Sequence, residues 1–172
     1  HTSSFWKLDE TNNVLKCIVS FAREPCPNFQ AVTQSMPMPY GVGLPGQVWK
    51  NNAPMWMEDV VHETNFPRAK YADKDGLHAA FAFPIIAAGK FVGVLEFFSK
   101  KISKPDTDLL DAFNVVGTEL GHFFERRRVE LELAQQAALN SYAADIGSAI
   151  NSVESLSSIL KDCAEITLRK LD

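Results

Sequence analysis

The side chains best suited to nucleophilic, redox or metal chemistry in this 172-residue sequence are three cysteines and four histidines. Cys17, Cys26 and Cys163 form an odd, sparse set, which fits a reducing compartment better than a disulfide framework. A metal centre needs clustered donors. His62 and His78 are the only plausible pair, and no Cys or carboxylate accompanies them at ligand spacing. Surface or loop-lining histidines are the favoured reading, so no metal is expected. His122 invites comparison with a phosphoacceptor on a helix. Its surroundings, Gly121-His122-Phe123-Phe124-Glu125-Arg126, lack the adjacent acid and the Arg-Thr-Pro stretch typical of phosphorylation helices. A plain helix-face position is expected. Arg126-Arg127-Arg128 is basic, but Glu125, Glu130 and Glu132 surround it, which describes a solvated, salt-bridged helix face. No catalytic residue is assigned.

The elements that must position these groups follow from composition and pattern. A length of 172 residues, 46% hydrophobic and 22% charged, suits about one domain. Eighteen aromatics exclude disorder, and a formal charge of −4 argues against a general nucleic-acid or anionic-membrane surface. The apolar stretches fall far short of the ~20 residues that span a bilayer. No charged segment followed by an apolar run opens the sequence, so a cytoplasmic setting is expected. The average hides an asymmetry. All nine prolines lie between Pro25 and Pro105, and the 67 residues beyond carry 12 acids and 6 bases, against 9 and 11 before them.

The proline-bearing part reads as strands and short helices. Ser3 to Leu8 pairs with Val14 to Ala22 across an acid- and Asn-rich connection. Phe29 to Met36 and Leu44 to Lys50 are short helices, Pro54 to Glu58 is a short strand, and Phe66 to Lys74 is a polar helix. Ala79 to Ala87 and Phe91 to Ser99 form a hairpin around Ala88-Gly89-Lys90, and Pro84 signals a bulge or an edge. Phe81, Phe83 and Ile85 share one face, as do Phe91, Gly93, Leu95 and Phe97, while Glu96 falls on the other. From Pro105 the period becomes helical. Leu109, Phe113, Val116, Leu120 and Phe123 form one apolar stripe, and Ile146, Val153, Leu156 and Leu160 continue a heptad-like face.

Gly43-Leu44-Pro45-Gly46-Gln47-Val48-Trp49 followed by Pro54-Met55-Trp56-Met57-Glu58-Asp59 resembles the central signature of GAF domains. The run from Gly76 to Ile85, the run from Gly89 to Ser99, and Leu120 to Arg126 resemble that family's hairpin and closing helix. The versions most similar come from bacterial sensor histidine kinases, chemotaxis receptors and cyclic-dinucleotide enzymes. The resemblance implies an α+β sandwich: a six-stranded antiparallel sheet with helices on one face, pocket loops on the other and a long C-terminal helix. It divides the chain into a sensory domain at 1–130 without the family's leading helix, and a helical connector at 131–172 that resembles the first helix of a following GAF domain. A longer signalling protein is therefore expected.

The resemblance also implies a pocket, walled by Trp56, His62, Phe66, Tyr71, His78, Phe81 and Phe83. The alternative is that these side chains fill the fold and nothing binds. Asn65-Phe66-Pro67 and Asp73-Lys74-Asp75 do not reproduce the motif of cyclic-nucleotide-binding relatives, and the cysteines do not match the bilin-binding pattern. The cofactor is left unknown. The functional expectation is a non-catalytic sensor of a small ligand or partner. Leu109, Phe113, Val116, Leu120, Phe123, Ile146, Val153, Leu156 and Leu160 would form a homodimer and relay to an output domain. A structural spacer with a collapsed pocket is the alternative. A thiol-dependent reductase of free methionine sulfoxide is a further one, weakened because no cysteine lies near the pocket motifs.

Overall fold

Along β1 (Thr2–Asp9) the period of two turns Thr2, Ser4 and Trp6 to one side of the sheet and Ser3, Phe5 and Lys7 to the other. This computed structural model describes residues 1–151 and 156–171; Val153 and the side chain of Leu156 lie outside the described residues. Six strands form one antiparallel sheet in the order β3-β2-β1-β6-β5-β4. The others are β2 (Val14–Ala22), β3 (Met38–Pro39), β4 (Met55–Met57), β5 (Ala80–Ala87) and β6 (Lys90–Phe98). The fold class inferred from the resemblance is the one observed. The two-residue β3 was not expected.

Local chemistry sets the hairpins. Asp9 accepts the backbone N–H groups of Thr11 and Asn12, each at 3.1 Å, and pairs with Lys16 at 2.7 Å, which closes the β1–β2 turn. The Lys16 ammonium and the Asn12 amide hold the Asp9 carboxyl well below its usual range. Between β5 and β6, Ala88 (φ 49°) and Gly89 (φ 75°) make the two-residue turn that matches strand twist. Pro84 sits beyond Ala82, where β4 pairing stops, and the β5–β6 register shifts just after it, between Ile85 and Ile86. A residue without an N–H is tolerated at such an edge.

The Trp6 face carries α1 (Pro27–Ser35), α2 (Gly43–Asn51) and α3 (Ala69–Lys74) with their connections. Its core joins Trp6, Leu15, Ala80, Ala82, Val94 and Phe98 from the strands to Phe29, Leu44, Val48, Val60, Phe66 and Leu77 from the loop layer. The expected helix at 66–74 begins only at Ala69. Helix α1 begins two residues earlier than expected, because Pro27 fits the first turn, where no N–H is required.

The chain divides into two compact units, His1–Glu125 and Arg126–Asp172. Helix α4 (Thr107–Asn151) enters both. In the first unit it covers the Phe5 face of the sheet. Phe113 packs on Phe81, Phe83 and Phe97, with ring centroids 4.9, 5.0 and 5.8 Å away, and Phe124 stacks on Phe5 at 5.7 Å. Gly117 and Gly121 set the approach: a Cβ on either would lie 2.4 Å from the Pro84 carbonyl oxygen or 1.7 Å from that of Ile86. The helix backbone therefore rests on the strand backbone. This fixes its rotation and divides the expected single stripe. Phe113 is spent on the sheet and Leu109 and Leu120 are half-buried, whereas Val116 and Phe123 are exposed.

In the second unit α4 passes through Asn140, Ser141 and Gly147 unbroken, and α5 (Leu156–Leu171) follows. Tyr142 and Thr167 share a 2.7 Å hydrogen bond between hydroxyls, so α5 turns back beside the end of α4 instead of prolonging one heptad helix. Ile146 is half-buried and Leu160 exposed.

Gly121→Ala is expected to lower stability by about 1–3 kcal/mol despite alanine's better helix propensity, because overpacking against a carbonyl outweighs it. Urea unfolding of the two proteins checks this.

Candidate functional site

The loop layer is built around the connection between β4 and β5, residues 58–79, whose regular structure is limited to the six residues of α3. Polar side chains fasten it at four places. Asp59 accepts from the Nδ1 atoms of His78 at 2.9 Å and His62 at 3.0 Å, and from the Val61 N–H at 3.2 Å. Asn65 accepts from the Gly43 N–H at 3.2 Å and donates to the Gly41 carbonyl at 2.9 Å, tying the connection to the turn before α2. Asp75 accepts from the Phe29 N–H at 2.7 Å and from Asn28 at 2.7 Å. It thereby satisfies an orphan N–H at the start of α1, whose N-cap residue Cys26 offers no side-chain bond.

The fourth fastening is the deepest. Arg68 and Glu96 are fully buried, and their pair is bidentate: Nη1 to Oε1 at 2.7 Å and Nη2 to Oε2 at 2.6 Å. Nη1 also donates to Thr33 Oγ1 at 2.9 Å. Four rings enclose the guanidinium. Its Cζ lies 4.8 Å from the Phe29 centroid, 5.0 Å from Trp6, 5.2 Å from Phe66 and 5.5 Å from Phe98. Two buried donors, Arg68 Nε and Trp6 Nε1, have no acceptor among the described residues.

Burial pushes the Asp59 carboxyl up, but the hydrogen bonds from His78, Val61 and His62 outweigh it and hold the group below its ordinary value. Burial, with Glu96 adding to it, pushes the Cys17 thiol up to about 11, and burial likewise raises Cys26. Both thiols are thus held in the protonated, weakly nucleophilic form. Among the described residues, no three or more His, Cys, Asp or Glu side chains are grouped to hold a metal ion.

The seven aromatic and histidine residues expected to share a pocket divide between the two faces. Phe66 lines the Arg68 enclosure, Tyr71 is half-buried on α3, and His78 and His62 meet at Asp59. Trp56, Phe81 and Phe83 stand apart from the other four. Strand alternation sends Met57, Ala80 and Ala82 to the loop core, which turns these three to the α4 face. Trp56 stacks on Phe81 at 5.5 Å and donates its Nε1–H to the Ser103 carbonyl at 2.8 Å. It borders a cleft of about 350 Å³ on that side with Phe81 and Phe97. Sequence reasoning missed Arg68, Asp59, Asn65 and Asp75. One signal was present: Glu96 is an acid in an apolar strand, on the face opposite Phe97, and such a group needs a buried cation.

The model of the GAF domain family matches residues 1–125, and the chain belongs to that family. Among solved structures, it is similar to the GAF domain of a phosphoenolpyruvate-protein phosphotransferase from Coxiella burnetii: 15% identity, 75% of this chain and 74% of that one covered, TM-score 0.61. A domain assigned to a two-component sensor histidine kinase from Sinorhizobium meliloti matches at 16% identity, covering 78% and 84%, with TM-score 0.60. A free methionine-R-sulfoxide reductase from Neisseria meningitidis matches at 19%, covering 79% and 70%, with TM-score 0.55. At these identities the likeness is one of fold. No curated protein matches the chain.

Two outcomes follow for the fastenings. Glu96→Ala is expected to cost about 3–5 kcal/mol by stranding a buried cation, while the joint change Arg68→Met with Glu96→Leu recovers most of that loss in urea unfolding. Asp59 contributes stability that is complete above the ordinary carboxylate range and is lost as pH falls through its lowered folded value. Asp59→Asn is expected to flatten that acid limb when unfolding midpoints are measured against pH.

Proposed function

We propose that this chain is a non-catalytic sensory module of a bacterial signalling protein. A small ligand or partner alters the loop layer, and the sheet passes that bias through α4 to an output domain of the same longer chain. The observation that carries the reading is the sharing of β5 and β6 by two layers. Ala80, Ala82 and Phe98 belong to the loop core, with Glu96 bonded to Arg68 of that layer, while the intervening Phe81, Phe83 and Phe97 hold Phe113 of α4. A change in the loop layer therefore bears on strands that seat the helix. Such coupling requires contacts that differ between two states of the loops.

The raised thiols of Cys17 and Cys26 support a non-catalytic reading over the reductase, whose chemistry starts from a thiolate. The module acts in the cytoplasm as a homodimer through α4, where Val115, Val116 and Phe123 stand exposed. No helix among the described residues is long and apolar enough to cross a membrane. A structural spacer is the second reading, favoured by an interior already filled by Arg68 and its four rings.

Native mass spectrometry of protein purified from its own host is expected to find a retained small molecule; protein that is empty in repeated preparations favours the spacer. Light scattering is expected to give a dimer mass that falls to the monomer's in Val116→Glu combined with Phe123→Glu.

A further inference from the structure

We infer that the interior of the loop layer is a recognition box for a small organic cation, a guanidinium or amine, and that Arg68 is the chain's own occupant of it. The inference rests on the sensory reading above and names the ligand class. Four aromatic faces around a carboxylate are the chemistry that recognises such a cation. Here the four ring centroids lie at nearly one distance, 4.8 to 5.5 Å, from the guanidinium carbon, so the charge sits centrally among them. Glu96 Oε1, Glu96 Oε2 and Thr33 Oγ1 supply three acceptors, matched by the terminal nitrogens of a guanidinium or by an ammonium.

Packing alone does not account for this arrangement. An apolar side chain of similar volume would fill the space without desolvating two charges, and such replacements are commonly neutral or stabilising. Arg68 is also an imperfect occupant. Among the described residues its Nε has no acceptor, and neither has the indole N–H of Trp6, one of the enclosing walls. A ligand that carries an oxygen beside its cation would satisfy the Trp6 donor, which Arg68 leaves unmet.

Displacement is structurally local. Arg68 stands at the N-cap of α3, in the β4–β5 connection, whereas Glu96 and Trp6 are anchored in adjoining strands of the sheet. A competing cation would keep the strand-borne half of the box and free the connection at its one fully buried fastening. The remaining fastenings, at Asp59, Asn65 and Asp75, are exposed or half-buried. Ligand binding and loop release are then a single exchange, and the apparent affinity of the wild type is reduced by the fraction of time Arg68 vacates the box.

The test uses methylguanidinium and tetramethylammonium as probes, with acetamide as the neutral control. In the wild type, millimolar methylguanidinium is expected to speed amide hydrogen exchange within 58–79 while leaving β1 and β6 unchanged. Arg68→Ala is expected to bind both cations, read from thermal midpoint and tryptophan fluorescence, with methylguanidinium at least ~tenfold tighter than in the wild type because the competitor is gone. Adding Glu96→Ala to that variant abolishes the binding. A folded Arg68→Ala protein that ignores both cations overturns the inference. If that variant does not fold, the wild-type exchange decides: no acceleration in 58–79, or an equal effect of acetamide, overturns it. A different class of molecule retained from the host alongside these negative results would leave the sensory reading intact and remove only the cation.

Discussion

The pairing of Arg68 with Glu96 is the interaction on which the arrangement of the loop layer depends. Each charge alone would be untenable where it lies, and each makes the other possible only at one geometry, with two parallel hydrogen bonds. The residue between Pro67 and α3 is thereby pinned to the middle of a strand 28 positions away in sequence. Phe29, Phe66 and Phe98 close over the pair, and Thr33 brings α1 into the same contact. A connection with little secondary structure of its own obtains a defined path from this one contact, and the outer ties at Asp59, Asn65 and Asp75 take up their positions around it.

The sheet is the second constraint. Its residues serve two layers by alternation, so the loops and α4 compete for nothing and share everything: the same strands, different side chains. On the loop side the contacts combine an apolar core with the charged, directional pair of Arg68 and Glu96. On the helix side they are aromatic stacking and close backbone approach.

Much of this was legible in the sequence, and the division between what was and was not has a physical basis. Strands and helices announce themselves through local period, so β1, β2, β5, β6 and the start of α4 fell close to their expected places. The family signature added the six-stranded antiparallel sheet and its two covered faces, which period alone does not contain. The side of the sheet that each pocket candidate faces required the loop core to be known: Phe81 and Phe83 share one face, and that face is the one α4 covers. Arg68 was illegible for a different reason. A basic residue in a polar loop is ordinarily solvated, and only its distant partner Glu96, conspicuous on an apolar strand, hinted otherwise. The path of the tail was left open by its heptad-like face, because a hairpin of two helices and one long helix share the same apolar repeat.

The seating of α4 on β5 has one more consequence. Gly117 and Gly121 meet the carbonyl oxygens of Pro84 and Ile86, and every amino acid has that oxygen. The strand can therefore exchange the side chains it turns to the loops, such as Ala80 and Ala82, without disturbing the carbonyls on which the helix backbone lies. On the helix side the seat is restricted by the two small residues and by the packing of Phe113 on Phe81, Phe83 and Phe97. A fold arranged in this way can vary its loop face while keeping the seat of its helix.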